Sequence, residues 1–258
     1  MNIMRFFAAV LALVIISLPS FAQSGKAIEA EILRHLNAIS TNADKGKIRD
    51  RENKLLKQKL LKYGRNAPTL KYDFRGLTDK LYVATSKDGK FRIYSWDTES
   101  GGSMHFFDGV YQYQTSKGKV FAKAFIDRGT AARGFYSQIF QVDLGKGKAY
   151  LANSNLILSN SLMHQDIETF AIEGEKLNTN LRLIRTTTAM RNSVGFDYDF
   201  FSVVDRPERP IKLFSYDESK KQLRFPIVLE DKKFPNGGRV TNKFITYRFN
   251  GKYFVKVN

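Results

Sequence analysis

The chain has no cysteine among its 258 residues. That absence excludes disulfide staples, a thiolate nucleophile, cysteine-bearing zinc sites and a lipid anchor on cysteine, so packing and hydrogen bonds must hold the fold. Histidine is nearly as scarce. His35, His105 and His164 are scattered and form no His-Glu-x-x-His run, so each reads as a surface or satisfied structural residue. Nucleophile signatures are missing too: there is no Gly-x-Ser-x-Gly elbow, and no Ser-x-x-Lys is followed by its usual companions. Gly145-Lys146-Gly147-Lys148 lacks the upstream glycine spacing and the following Ser or Thr of a phosphate loop, and reads as a turn. Neither a metal nor a cofactor is implied.

Long hydrophobic runs are absent but for residues 6–18, which follow Arg5 and precede Pro19, Ser20 and Ala22. The run is shorter than the roughly 20 residues of a membrane span, and small residues sit where a signal peptidase reads them. The expectation is a signal peptide over residues 1–22, cleaved near Ala22, with no transmembrane segment in the mature chain. The product would be periplasmic or extracellular. A secreted chain without cysteine fits a bacterial envelope better than a eukaryotic extracellular space.

Negative charge is in short supply, with 25 acidic against 42 basic residues and a formal charge of +17. Removing the signal segment takes away Arg5 and no acidic residue. The excess is local: residues 45–71 hold ten basic side chains against Asp50 and Glu52. Apolar Ile28, Ile32, Leu36 and Ile39 share a helical face, predicting a first helix over residues 26–40. A second is predicted over residues 48–63, with Ile48, Leu55, Leu56, Leu60 and Tyr63 as its stripe, Gly64 as its stop and Pro68 beyond.

After Pro68 the chain changes to short runs of aromatic and β-branched residues punctuated by Gly, Asn and Asp. Strands are predicted over residues 81–85, 91–97, 110–115, 120–126, 136–142, 167–172, 181–186, 196–204, 211–216, 240–249 and 253–257. Within 196–204, Phe196, Tyr198 and Phe200 alternate with Asp197 and Asp199, which gives a strand with one buried face and two solvated carboxylates. Gly89-Lys90, Gly118-Lys119 and Gly147-Lys148 recur at a spacing of 29 and point to stacked or radially arranged hairpins. The expected fold is mainly β: one antiparallel domain over residues 69–258, propeller-like or a large meander barrel, preceded by a basic α-helical hairpin over residues 23–68.

Residues 86–102, with an Asp88-Gly89 turn, a strand ending in Trp96-Asp97 and then Gly101-Gly102, resemble one blade of a WD-type propeller. Together with residues 240–254 they are also similar to a group of uncharacterised exported bacterial β-rich proteins. The resemblance implies an exported β-rich protein and brings no activity or catalytic residue with it.

Two binding regions stand out. Arg92, Tyr94 and Trp96 point to one side of a strand, with Asp97 at its end and His105 beyond the double glycine, a cation-and-ring set that suits a planar or sugar-like ligand. Lys54, Lys57, Lys59, Lys62 and Arg65 form a basic face for an anionic envelope polymer or an acidic protein. Export argues against nucleic acid as the partner. The expected function is non-enzymatic binding or envelope association. The alternative is an envelope hydrolase acting on a sugar or phosphate substrate, its carboxylates assembled by the fold. Neither reading sets an oligomeric state.

Overall fold

The computed structural model describes residues 24–126 and 132–257. The expected signal segment over residues 1–22 lies outside the described residues. Among those described, no helix is long and apolar enough to cross a membrane.

Helix α1 (Gly25–Thr41) opens on Ser24, whose side chain accepts from the Ala27 amide at 3.3 Å, one of the otherwise unpaired donors of a first turn. It buries the predicted Ile28, Ile32, Leu36 and Ile39. Helix α2 (Gly46–Tyr63) buries Leu56, Leu60 and Tyr63 and ends at Gly64, as its pattern foretells. Ile48 departs from the predicted stripe: it sits in the first turn at 39% exposure, before α2 reaches the core.

The rest is strand and turn, with 41% strand against 20% helix making the protein mainly β. A four-stranded antiparallel meander holds β1 (Tyr82–Thr85), β2 (Phe91–Asp97), β3 (Phe107–Gln114) and β4 (Val120–Ala124) in chain order. The second sheet contains β5 (Phe135–Asp143), β6 (Lys148–Ile157), β7 (Leu162–Glu173) and the short β8 (Lys176–Asn178). The third is built from β9 (Ile184–Arg185), β10 (Met190–Arg191), β12 (Ser215–Asp217), β13 (Gln222–Leu229), β14 (Arg239–Phe249) and β15 (Phe254–Val257). Between them in sequence, β11 (Ser193–Asp199) returns to the edge of the second sheet beside β7. Pairing is antiparallel apart from β15 with β9. None of the three sheets closes on itself in its strand order, and one is curled into a half-barrel.

The layers follow from which face each strand buries. One core joins the two helices to Phe74, Leu77, Leu81, Tyr94, Trp96 and Val110, so the helical hairpin and the first sheet share their apolar interior. The opposite face of that sheet, through Phe91, Ile93, Tyr111 and Tyr113, packs on Tyr136, Ile139 and Phe170 of the second. The second sheet's other face, through Val142, Leu151 and Ile167, packs on Phe225, Tyr247 and Phe254 of the third. Each large side chain buried this way contributes about 1.5–3 kcal/mol.

Being covered on both sides explains where the strand expectations fail. In β6 residues 149–155 are all buried, yet they include Ala149, Ala152, Asn153, Ser154 and Asn155, which carry no alternation to read. Strand β13 carries Pro226 at a register shift in its pairing with β14, so its sequence resembles a loop. Conversely, the predicted strand over residues 211–216 is strand only from Ser215, and that over 181–186 only at Ile184–Arg185. The strand predicted to reach residue 204 stops at Asp199, where the Asp199 carboxylate accepts from the Phe201 amide at 2.9 Å and starts a 3-10 turn. Asp199 is therefore buried rather than solvated. The 29-residue spacing also has a local origin, because Gly89, Gly118 and Gly147 each supply a positive φ at the hairpins β1–β2, β3–β4 and β5–β6.

Candidate functional site

Alternation along β2 places Arg92, Tyr94 and Trp96 on one face, as expected, but that face is the one covered by the helices. All three are buried, at 4%, 1% and 0% exposure. Their polar atoms are directed into the protein. Arg92 donates from Nη1 to the carbonyls of Thr69 and Tyr72, both at 2.6 Å, and from Nε to Thr85 Oγ1 at 2.8 Å. The Tyr94 hydroxyl donates to Gln112 Oε1 at 2.7 Å, and the Trp96 indole donates to Asn53 Oδ1 at 2.8 Å. These three side chains bind the first sheet to the segment after α2 and to α2 itself.

Asp97 and His105 occupy the exposed end of the same block. The Asp97 carboxylate accepts from the Glu99 amide at 2.9 Å and from His105 Nδ1, which fixes the proton on that ring nitrogen. The His105 amide reaches across to the Ile157 carbonyl at 3.0 Å. Glu99 stands at a positive φ of 55° beside them, its carboxyl raised above the ordinary range by burial and then by the charge of Asp97.

A cleft of about 420 Å³ opens next to this end, between α2 and the start of β3. Asp50, Asn53, Lys54 and Lys57 face it from successive turns of the helix, with Thr98, Ser100, Phe106, Phe107 and Asp108 opposite and Arg133 from the segment before β5. Asn53 anchors the arrangement, since its Nδ2 donates to the carbonyls of Arg49 at 3.0 Å and Thr98 at 2.9 Å while Oδ1 holds Trp96. Lys57 pairs with Asp108, and Arg133 lies 3.9 Å from the same carboxylate. Lys54 is exposed and has no ion pair among the described residues.

The structure thus divides the predicted basic face. Lys54 and Lys57 turn to the cleft; Lys59 turns the other way and pairs with Glu31 of α1 at 2.6 Å. Lys62 and Arg65 are exposed at the far end of the helix. Arg133 and Phe106 were not among the expected site residues. They come from loops with no distinguishing pattern, and only folding brings them to the helix.

A second group of titratable side chains lies where the facing sides of the first two sheets meet. His164, Asp166 and Glu168 alternate along β7 and so share a face, and His164 Nδ1 meets Asp197 Oδ1 of β11 at 2.6 Å. Here the sequence held a usable sign: His164 has carboxylates at i+2 and i+4, one strand face apart. Tyr136, also at this site, has its hydroxyl pushed well above the ordinary range by burial and then by Glu168. The cavity they line is about 90 Å³, room for about three waters and too small for a sugar ring. Among the described residues no three His, Asp or Glu side chains converge as metal ligands.

No protein-family model, no curated protein and no solved structure matches this chain.

Proposed function

We propose that this is an exported, non-enzymatic binding protein that holds an anionic envelope polymer, or the acidic surface of a protein partner, in the cleft between α2 and β3. The observation that carries the reading is the convergence of Lys54, Lys57 and Arg133, from two separate parts of the chain, on one open cleft. Phe106, half-buried in the wall, adds a ring face of the kind that supports a sugar ring, and the Thr98 and Ser100 hydroxyls lie beside it. Asp50 and Asp108 balance part of the charge, which sets the cleft up for an extended chain of spaced anions rather than for one dense phosphate cluster.

Export rests on residues 1–22, whose short apolar run and small residues match a cleaved signal, and places the protein in the periplasm or outside the cell. Of the two expected forms of the β domain, the face-to-face packing of the three sheets supports the propeller-like one and the curled sheet supports the meander barrel, with the helical hairpin covering the first sheet.

The test is retention of the purified protein on an anionic matrix such as heparin–agarose. Retention that falls as salt rises supports the reading, because exposed charges are screened over about 8–10 Å at 0.10–0.15 M salt. Passage through the column at low salt overturns it.

A further inference from the structure

A second cavity, of about 370 Å³, lies where the starts of β1, β5 and β7 meet the end of β6 and the turn after β11; Phe107 of the cleft wall separates the two, its ring 6.1 Å from Tyr82 and 5.1 Å from Phe135. Its size is within the range that holds a small organic ligand. Its walls are mostly carbon: Tyr82, Phe135, Leu156, Ile157, Met163 and Ile211. Tyr82 and Phe135 stack at a ring separation of 3.8 Å, giving one flat wall. Two polar groups of the wall are already engaged. The Tyr198 hydroxyl accepts from Gln165 Nε2 at 3.3 Å, and Asn155 Nδ2 donates to the Phe135 carbonyl at 3.3 Å and Ser137 Oγ at 3.0 Å. A sugar would find few partners inside, and an inorganic anion would have no use for the apolar walls.

The mouth is different in character. Arg209 is exposed and forms no ion pair with a described residue. Its guanidinium is held in place by donating to the carbonyls of Arg206 at 2.6 Å, Glu208 at 2.8 Å and Val204 at 2.8 Å, and it lies 5.6 Å from the Phe200 ring. A guanidinium has five N–H donors, so two are left for a ligand. Beside it, Phe201 and Val204 are exposed at 56% and 39%, an apolar rim continuous with the cavity through Phe200. Asp79 also lines the cavity, so among the described charged side chains of the lining Arg209 is the one that attracts a negative head.

We infer that this cavity binds a single-chain anionic amphiphile: its hydrocarbon chain lies against Leu156, Ile157, Met163 and Ile211, and its anionic head meets Arg209. Apolar walls, a fixed cation at the mouth and exposed apolar side chains around it are together what such a ligand requires.

Displacement of a fluorescent fatty acid from the purified protein tests this, with dodecanoate and the uncharged dodecanol as competitors. Dodecanoate is expected to displace the probe at one site, and Met163→Trp, which fills the cavity, to weaken both competitors by about tenfold or more. Arg209→Gln, with its melting curve measured because Arg209 also holds the carbonyls of residues 204–208, is expected to weaken dodecanoate by about tenfold and leave dodecanol unchanged. Lys54→Glu, at an exposed side chain of the cleft that does not line this cavity, is expected to change neither. The inference is overturned if dodecanoate does not bind, or if Arg209→Gln binds it as tightly as the unsubstituted protein. It is overturned equally if Met163→Trp, shown folded by its melting curve, retains full affinity.

Discussion

The Trp96 indole, the sole tryptophan of the chain, donates to Asn53 Oδ1 at 2.8 Å and so fastens the basic helix to the first sheet at the point where the cleft opens. The same amide donates to the Thr98 carbonyl at 2.9 Å, which ties the far side of the cleft to the helix as well.

Asn53→Leu therefore leaves the Trp96 N–H buried without an acceptor and the Thr98 carbonyl without its donor. The expected cost is about 1–3 kcal/mol, measured by urea unfolding followed through the fluorescence of Trp96. Anion binding should weaken with it, because the cleft loses the residue that sets its width.

Arg92 provides a contrasting case. As a buried guanidinium serving Thr69, Tyr72 and Thr85, it is a structural fastening, and Arg92→Met should destabilise the protein by about 3–5 kcal/mol. At a temperature where the variant is still folded, its retention on an anionic matrix should equal that of the unsubstituted protein. Lost retention in the folded variant would return Arg92 to the binding site.

Acid stability is expected to depend on the His35–Glu52 contact between the helices. Arg34 donates to His35 Nε2 at 2.9 Å, leaving Nδ1–H to donate to Glu52 Oε2 at 2.8 Å. That hydrogen bond, the largest influence, holds the buried Glu52 carboxyl below its ordinary 4.5, against the effect of burial. A carboxyl lowered in the folded state adds stability above its unfolded value, and that stability is lost as pH falls through the folded value. The melting temperature should thus fall from pH 6 to pH 3 more steeply in the unsubstituted protein than in Glu52→Gln, whose side chain does not titrate. Parallel curves would show that the contact has no such role.

How much of this was legible in the sequence depended on which face each residue finally showed. The helices were readable because Ile28, Ile32, Leu36 and Ile39 keep one apolar stripe against one core. Turns at Gly89, Gly118 and Gly147 were readable because a positive φ there demands glycine. Strand β6 was not, since a strand buried on both sides has no polar face to alternate with, and its Asn153 and Ser154 look like loop residues. The same ambiguity misdirected the site. Arg92, Tyr94 and Trp96 do share a face, but alternation cannot say whether solvent or a helix covers it. Lys54 and Lys57 were visible as charge, whereas Arg133 acquires its place only when β5 docks beside β1.

The central claim is that the cleft, and not basic charge in general, binds the anion. Titration calorimetry of an oligogalacturonate into the purified protein at low salt tests it directly, comparing Lys54→Glu with Lys62→Glu. Both variants make the same charge change on the same helix, but only Lys54 faces the cleft. Lys54→Glu is predicted to weaken binding about tenfold, and Lys62→Glu by no more than about twofold, the scale of an exposed charge at a distance. Equal losses in the two variants, or no binding by the unsubstituted protein, would contradict the account.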